Sequence, residues 1–243
     1  MSALFVTGTG TDIGKTFVTV GLLRHLRGRG FEARALKPVA SGYDPENAAA
    51  SDPGVLLAAM GMAPNAENIA SITTFRFAAP LAPDMAARRE GRVLRLGEIV
   101  DFCRARIAAA SGPLLIEGVG GVMSPVAEDG TGLDLLAALG CPALLVGGSY
   151  LGAISHALTA ARALAAAGIG LRAIVVNESE ASAVDLDETR QAIERFHGAA
   201  PAISVARGAS HDGDAFLALA RASGFIAPES RPARRPAAEP APG

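Results

Sequence analysis

The sequence has 243 residues, 50% of them hydrophobic and 19% charged, so it can bury a substantial core in one large α/β domain or two small ones. A formal net charge of −2, with no Trp and 5% aromatic residues, argues against nucleic acid or membrane surfaces as partners. No secretory signal is evident, because residues 4–6 run straight into a glycine-rich loop, and Cys103 and Cys141 suit a reducing compartment, so we expect a cytoplasmic protein.

Short apolar runs alternate with helical patterns along most of the chain. Runs of four to six residues bounded by Gly, Pro or Ser are typical of strands buried on both faces of a parallel sheet. They predict strands at residues 4–7, 33–37, 114–117, 143–146, 171–176 and 202–205. Helices are predicted at residues 16–29, 94–110, 134–139, 155–167 and 185–197. The alternation predicts an α/β fold, a doubly wound, mostly parallel sheet with helices on both faces.

Two segments interrupt this alternation. Residues 44–92 contain a short helical pattern at 55–60, then Pro80 and Pro83, and we expect a partly helical excursion over the strand ends. Residues 227–243 are dominated by Pro, Ala, Arg and Glu, which cannot bury a core, so we predict a disordered tail. The predicted organisation is one domain over residues 1–226 followed by that tail.

The string GTGTDIGKT at residues 8–16 follows the first predicted strand and opens the first predicted helix. In that context glycines let backbone N–H groups converge on phosphates, Lys15 brings a positive charge, and the Thr16 hydroxyl can ligate Mg²⁺. Position 9 is Thr where a standard phosphate loop has Gly, which indicates a particular subclass. Ile13 rules out the dinucleotide-binding glycine pattern. The sequence therefore predicts a P-loop NTPase.

Further polar residues stand where predicted elements end. Glu117 ends an apolar strand before a glycine-rich turn and can hold Mg²⁺ at the strand-end rim. Lys37 ends the second strand and can stabilise charge during phosphoryl transfer, although a lysine at a strand end is more often simply solvated. Asp52 alone would be a helix cap, and Asn177, whose amide suits a nucleobase edge, alone would be a turn residue.

Five motifs carry a resemblance to one family: FVTGTGTDIGKT at 5–16, KPVASG at 37–42, SD at 51–52, LLIEGVGGV at 114–122 and LGAISHALTAAR at 151–162. In order and spacing the chain resembles the dethiobiotin synthetase family over roughly residues 3 to 180. The resemblance implies an ATP-dependent cyclo-ligase that joins CO₂ or bicarbonate to 7,8-diaminononanoate. The implied path runs through a carbamate and a phosphorylated carbamate, closes the ureido ring of dethiobiotin, and releases ADP and phosphate.

The resemblance also implies site residues. Lys15 and Lys37 would be catalytic, and Thr16, Asp52 and Glu117 would hold Mg²⁺. ATP would contact Asp12, Ile13, Gly14, Lys15, Thr16, Phe17, Asp52, Glu117, Gly118, Val119, Gly120 and Asn177. The diamine and its carbamate would contact Thr11, Ser41, Gly152, Ala153, Ile154 and Ser155. In the family the 152–155 turn receives the substrate carboxylate across a dimer interface, which implies a homodimer.

The chain departs from the family pattern at three places. Gly10 stands where the family often has Asp, and Ser155 stands where an Asn can stand. Residues 203–206 lack the Pro that often follows the last strand, and no nucleotide contact beyond residue 200 is assigned.

Two other classes of P-loop protein fit the sequence less well. The alternative is a P-loop switch ATPase of the partition or cell-division type, but those proteins usually carry a Lys near residues 8–10, and this chain does not. An amidotransferase-type ligase would need a glutaminase domain with a nucleophilic Cys. The histidines at 25 and 197 fall on helical faces and are predicted to be structural or solvated, so a hydrolase triad is rejected.

Overall fold

The computed structural model describes residues 3–182 and 184–227. The predicted tail lies outside the described residues except for residue 227. The strands are β1 (Ala3–Gly8), β2 (Arg34–Leu36), β3 (Val39–Ser41), β4 (Phe75–Phe77), β5 (Leu114–Glu117), β6 (Pro125–Ala127), β7 (Gly130–Thr131), β8 (Ala143–Gly147), β9 (Leu171–Asn177) and β10 (Ala202–Val205). The helices are α1 (Lys15–Gly28), α2 (Asp52–Ala59), α3 (Ala66–Ile72), α4 (Pro83–Arg89), α5 (Leu96–Ala108), α6 (Gly132–Leu139), α7 (Ala153–Ala166), α8 (Leu186–His197) and α9 (Asp214–Ala222), with a short 3₁₀ helix at Pro45–Ala50.

The central sheet has six parallel strands in the order β10-β9-β8-β1-β5-β2. This confirms the predicted α/β fold. Strand β1 lies between β5 and β8, with Val6 opposite Glu117 on one side and Gly8 opposite Val146 on the other. The carboxyl ends of β1 and β5 therefore meet at the point where the strand order reverses, which is where such sheets bind ligands.

The core lies between the sheet and helices on its two faces. Residues of β1, β5 and β8 are buried, as continuous runs of Leu, Ile and Val require. Helix α1 packs against α2 and α9, while α5 packs against α6 and α7 against α8. Among the described residues, no helix is both long and apolar enough to cross a bilayer.

The structure differs from the sequence prediction mainly between residues 37 and 92. The strand predicted at 33–37 ends at Leu36, because the backbone N–H of Lys37 turns to the carbonyl of Ile72 (3.0 Å). After Pro38 the chain forms β3, which pairs with β4 in a separate two-stranded sheet. The excursion is thus more ordered than expected, with α2, α3 and α4 in it, and α9 was not predicted.

Candidate active site

The loop between β1 and α1 is built to approach an anion. Gly14 has φ 91° and Asp12 has φ 56°, both in the left-handed region, so the backbone curls tightly before the helix begins. Lys15 is the first residue of α1, and its Nζ donates to the carbonyl of Gly10 (2.7 Å) within the loop. The helix N-terminus and the Lys15 ammonium therefore face the same loop, as a phosphate site requires.

Asn177, at the end of β9, contacts this loop directly. Its Nδ2 donates to the carbonyl of Ile13 (3.1 Å). A Cβ at position 14 would overlap that amide nitrogen, so Gly14 is required by both its φ and its neighbour. Asn177 therefore makes a specific contact within the protein and ties β9 to the phosphate loop. It is more than the plain turn residue that its segment alone suggests.

Lys37 lies inside a cluster of carboxylates. Its Nζ is 2.7 Å from Oε1 of Glu117 and 2.8 Å from Oδ2 of Asp52, and it donates to the carbonyl of Gly118 (3.2 Å). The Thr16 hydroxyl donates to the same Glu117 oxygen (2.7 Å). Lys37 is 3% exposed and Glu117 fully buried, so the reading of Lys37 as a solvated strand-end charge is wrong.

Asp52 reaches the cluster because the helix cap is supplied by its neighbour. The Ser51 hydroxyl accepts from the backbone N–H of Gly54 (3.2 Å) and caps α2. The carboxylate of Asp52 in the first turn is thereby left to pair with Lys37. The capping role considered for Asp52 alone belongs to Ser51.

The two lysines have opposite electrostatic surroundings. Burial, reinforced by the positive charge of Lys37, lowers the pKa of Lys15 to about 8. Burial alone would also lower the pKa of Lys37, but Glu117 and Asp52 outweigh it and raise that pKa above its usual value. The pKa of Asp52 is lowered despite burial, because Lys37 and the Thr16 hydroxyl favour the carboxylate. Lys37 therefore stays charged at neutral pH, whereas the pKa of Lys15, about 8, lies close to neutral pH.

The same cluster offers oxygen ligands for a cation. The second oxygen of Glu117, Oε2, is buried and has no hydrogen-bond partner among the described residues. Over residues 3–182 and 184–227, no group of three or more His, Cys, Asp or Glu side chains is arranged to hold a metal. Mg²⁺ in nucleotide sites uses one or two carboxylates, with waters and phosphates completing its shell. The Glu117 and Asp52 carboxylates with the Thr16 hydroxyl fit that pattern.

Two cavities flank the phosphate loop. The lysine-side cavity, about 680 Å³, is lined by Lys15, Thr16, Lys37 and Asp52, together with residues 80–83. The nucleoside-side cavity, about 610 Å³, is lined by residues 10–14 of the loop and by Phe17, Asn177, Arg207 and Gly208. A triphosphate on the loop would therefore have room for its nucleoside on one side and for a reacting group beside its terminal phosphate on the other.

Comparison with known proteins decides the family. The sequence matches the family described as "AAA domain" over residues 2–206. It is 50% identical over 202 residues to the ATP-dependent dethiobiotin synthetase BioD of Acidiphilium cryptum (strain JF-5), covering 83% of this chain and 91% of that protein. It is 52% identical over 214 residues to the protein of the same name from Methylobacterium nodulans, covering 86% and 94%. The chain belongs to the dethiobiotin synthetase family.

Solved structures that resemble this one support the fold. The hydrogenase maturation factor HypB from Archaeoglobus fulgidus aligns with a TM-score of 0.53 at 15% identity, covering 89% of this chain and 85% of that one. The signal recognition particle receptor FtsY from Elizabethkingia anophelis, in complex with GDP, aligns with a TM-score of 0.52 at 16% identity over 95% and 64%. At such low identity these neighbours carry an argument about the α/β fold alone.

The dethiobiotin synthetase motifs separate into two places in the structure. Thr11, Ser41, Val119 and Gly120 line the lysine-side cavity, together with the lysines and Asp52. The residues of the 152–155 turn line neither that cavity nor the nucleoside-side cavity of the same chain. They form the start of α7, after Gly152 at φ 93°, next to Leu151, which is 88% exposed. Within one chain, the turn therefore stands apart from the lysines.

The sequence patterns did not predict several of the residues that line the two cavities. Residues 80–83 line the lysine-side cavity, where only a general excursion over the strand ends was expected. Glu178, Arg207 and Gly208 line the nucleoside-side cavity, and the N–H of Arg207 donates to Oε2 of Glu178 (2.8 Å). The signal that could have found Glu178 is its position directly after Asn177, at the end of a strand.

Proposed function

We propose that this chain is an ATP-dependent dethiobiotin synthetase, a carbon–nitrogen ligase that closes the ureido ring from 7,8-diaminononanoate and CO₂. The relatives that share about half of its residues over most of its length carry that name. The observation that carries the chemistry is the buried Lys37, held 2.7 Å from Glu117 and 2.8 Å from Asp52, in the cavity that also contains Lys15 and Thr16.

Each residue then has a definite task. The N–H groups of residues 12–16 and the Lys15 ammonium hold the phosphates of ATP, the co-substrate. Thr16, Asp52 and Glu117 would hold Mg²⁺, which when bound offsets the charge of the terminal phosphates. Lys37, kept protonated by its two carboxylates, holds the anionic carbamate of the diamine beside the γ-phosphate, so that two anions can meet in line.

Thr11 and Ser41 would contact the diamine and carbamate, which their position in the lining of the lysine-side cavity supports. The second amine of the diamine then attacks the phosphorylated carbamate carbon, and phosphate leaves as the ureido ring closes. The cavity walls formed by residues 80–83 and by Val119 and Gly120 help to exclude water, which would otherwise hydrolyse that mixed anhydride.

We also propose that the working unit is a homodimer. The 152–155 turn lies apart from the lysine-side cavity of its own chain, and the adjacent Leu151 is 88% exposed. If the start of α7 enters the cavity of a second copy, both facts have one explanation, and the helix N-terminus can receive the substrate carboxylate. Mixing a Lys37→Ala chain with a Gly152→Asp chain should then restore part of the activity that each lacks alone, whereas a site complete within one chain gives no restoration.

The main experiment supplies ATP and Mg²⁺ with ¹³C-bicarbonate and the diamine, omitting each in turn. The proposal expects ADP formation to require both the diamine and bicarbonate, and it expects the label in the ureido carbon of a product identified by mass spectrometry. ADP formation that ignores both would favour the switch-ATPase alternative. The cytoplasmic location stays a prediction from the sequence.

A further inference from the structure

His25 is a buried side chain of α1 that makes two directed contacts. It is 2% exposed, and its Nδ1 is 2.7 Å from the backbone carbonyl of His211. The Nε of Arg29 donates to its other ring nitrogen, Nε2 (2.9 Å). A carbonyl only accepts and an Arg N–H only donates, so Nδ1 must carry the proton and Nε2 must accept. Both ring nitrogens are therefore committed, and His25 is a neutral connector between α1 and the chain at His211.

The loop that His25 holds is also a wall of the nucleotide site. Residues 206–213, here called the base-side loop, run from β10 to α9. Arg207 and Gly208 in this loop line the nucleoside-side cavity, opposite residues 10–14 of the phosphate loop. His25 lies ten residues beyond Lys15 on the same helix, about 15 Å along its axis. One rigid helix thus carries the phosphate loop at its start and fixes the base-side loop near its end.

A second contact orients the segment after the loop. The ring of Phe216, in α9, packs so closely on Gly21 of α1 that a Cβ there would overlap it. Phe216 also meets Phe17 edge to face, with ring centroids 6.3 Å apart. Gly21 and His25 are four residues apart on α1 and so share one face. That face of α1 therefore contacts both α9, through Phe216, and the base-side loop, through His211.

We propose that His25 is a positioning residue for the nucleoside half of the ATP site, acting through the base-side loop. The inference rests on the proposed function only in placing the nucleoside of ATP in the nucleoside-side cavity. Without the His211 contact the loop samples other positions, and only the fraction of molecules with the wall in place binds the base. The phosphate loop keeps its own hydrogen bonds, so phosphates alone bind as before.

The test compares two nearly isosteric variants, His25→Leu and His25→Asn, by calorimetric binding of ATP and of inorganic tripolyphosphate. Asn places an amide N–H close to the position of Nδ1, whereas Leu has no donor. We expect His25→Leu to weaken ATP binding about fivefold, the factor that one hydrogen bond of ordinary net strength supplies, with tripolyphosphate binding unchanged. His25→Asn should bind ATP nearly as well as the natural chain. Arg24→Leu, on the exposed side of the same helix, is the matched control and should change neither affinity.

Each outcome decides the matter. Equal losses for ATP and tripolyphosphate in His25→Leu would mean a general loosening of α1 and would overturn the assignment, as would unchanged ATP binding. If His25→Leu does not fold, His25→Gln replaces it, because its longer side chain carries the amide away from the Nδ1 position. Gln binding ATP as tightly as Asn would then refute the proposal. The measurement needs neither diamine nor bicarbonate, so it stands even if the ligase activity proposed above were wrong.

Discussion

Lys15 should take up a proton when a nucleotide binds. Its pKa of about 8 reflects burial next to Lys37 and applies to the site without phosphates. At pH 8 such a group is about half protonated, at pH 7 about 90% and at pH 9 about 10%. Phosphate oxygens beside the ammonium restore the charged form and return the pKa towards or above its usual value. Binding should therefore be linked to uptake of about 0.1 proton at pH 7, 0.5 at pH 8 and 0.9 at pH 9.

The assay is calorimetric titration of ADP with Mg²⁺ at each pH, in buffers whose ionisation enthalpies differ. The slope of observed enthalpy against buffer enthalpy gives the number of protons taken up, and ADP phosphates titrate too low to contribute at pH 8 and 9. Lys15→Arg is the control, because a guanidinium stays charged throughout this range and should show no uptake. If the natural chain takes up almost no proton at pH 9, then burial and Lys37 do not destabilise the charged form of Lys15, and the prediction is refuted.

The remaining predictions concern the cluster and the loop. Lys37→Met should reduce dethiobiotin formation at least about a hundredfold. It should also lower the free energy of unfolding, measured by guanidinium titration, by about 3 kcal/mol, because the buried Glu117 carboxylate loses its ammonium partner. Adding Glu117→Gln to that variant should recover part of the stability, and strictly additive losses in the double-mutant cycle would contradict the pairing. Gly14→Ala should weaken ATP binding at least about tenfold, because the φ of 91° and the Asn177 amide both oppose a side chain at this position. Gly97→Ala in α5, where an added Cβ would meet nothing within 4 Å, should change the melting temperature little.

The sequence specifies the central sheet well because its strands are buried on both faces. All six predicted strands are present within about two residues of their predicted bounds, since a continuous apolar run is what a doubly covered parallel strand requires. The strands of two or three residues outside this sheet, such as β3 and β7, leave no such run. The pairing of β3 is set by a distant partner, as when the N–H of Phe75, at the start of β4, turns to the carbonyl of Pro38 (3.1 Å).

The cluster around Lys37 could be named from the sequence as a set of residues but not as an arrangement. The motif positions name Lys37, Asp52 and Glu117. Only the fold brings Lys37, which directly follows β2, within ion-pair distance of a helix residue 15 positions later and of a strand residue 80 positions later. For the same reason an isolated reading favoured solvation for Lys37 and capping for Asp52. Burial and pairing depend on tertiary neighbours, which the spacing of one segment does not encode.

The contrast between the two lysines would let the proposed site both bind a triphosphate and act on a second anion. The positive charges of Lys15 and Lys37 are balanced by Asp52 and Glu117, so the cluster carries no net charge to repel or attract either substrate strongly. Within it, Lys37 is already compensated twice and gains little from a further anion until those carboxylates find another cation. Lys15 is desolvated and donates to the neutral carbonyl of Gly10, with Asp52 and Glu117 acting on it only from beyond ion-pair distance, so it gains most from the first phosphate that arrives. A bound phosphate would first stabilise the charged form of Lys15, and a cation on Asp52 and Glu117 would then free Lys37 to pair with another anion. This order favours binding of the nucleotide before the carbamate. The acid formed from CO₂ would then meet a γ-phosphate that is already in place.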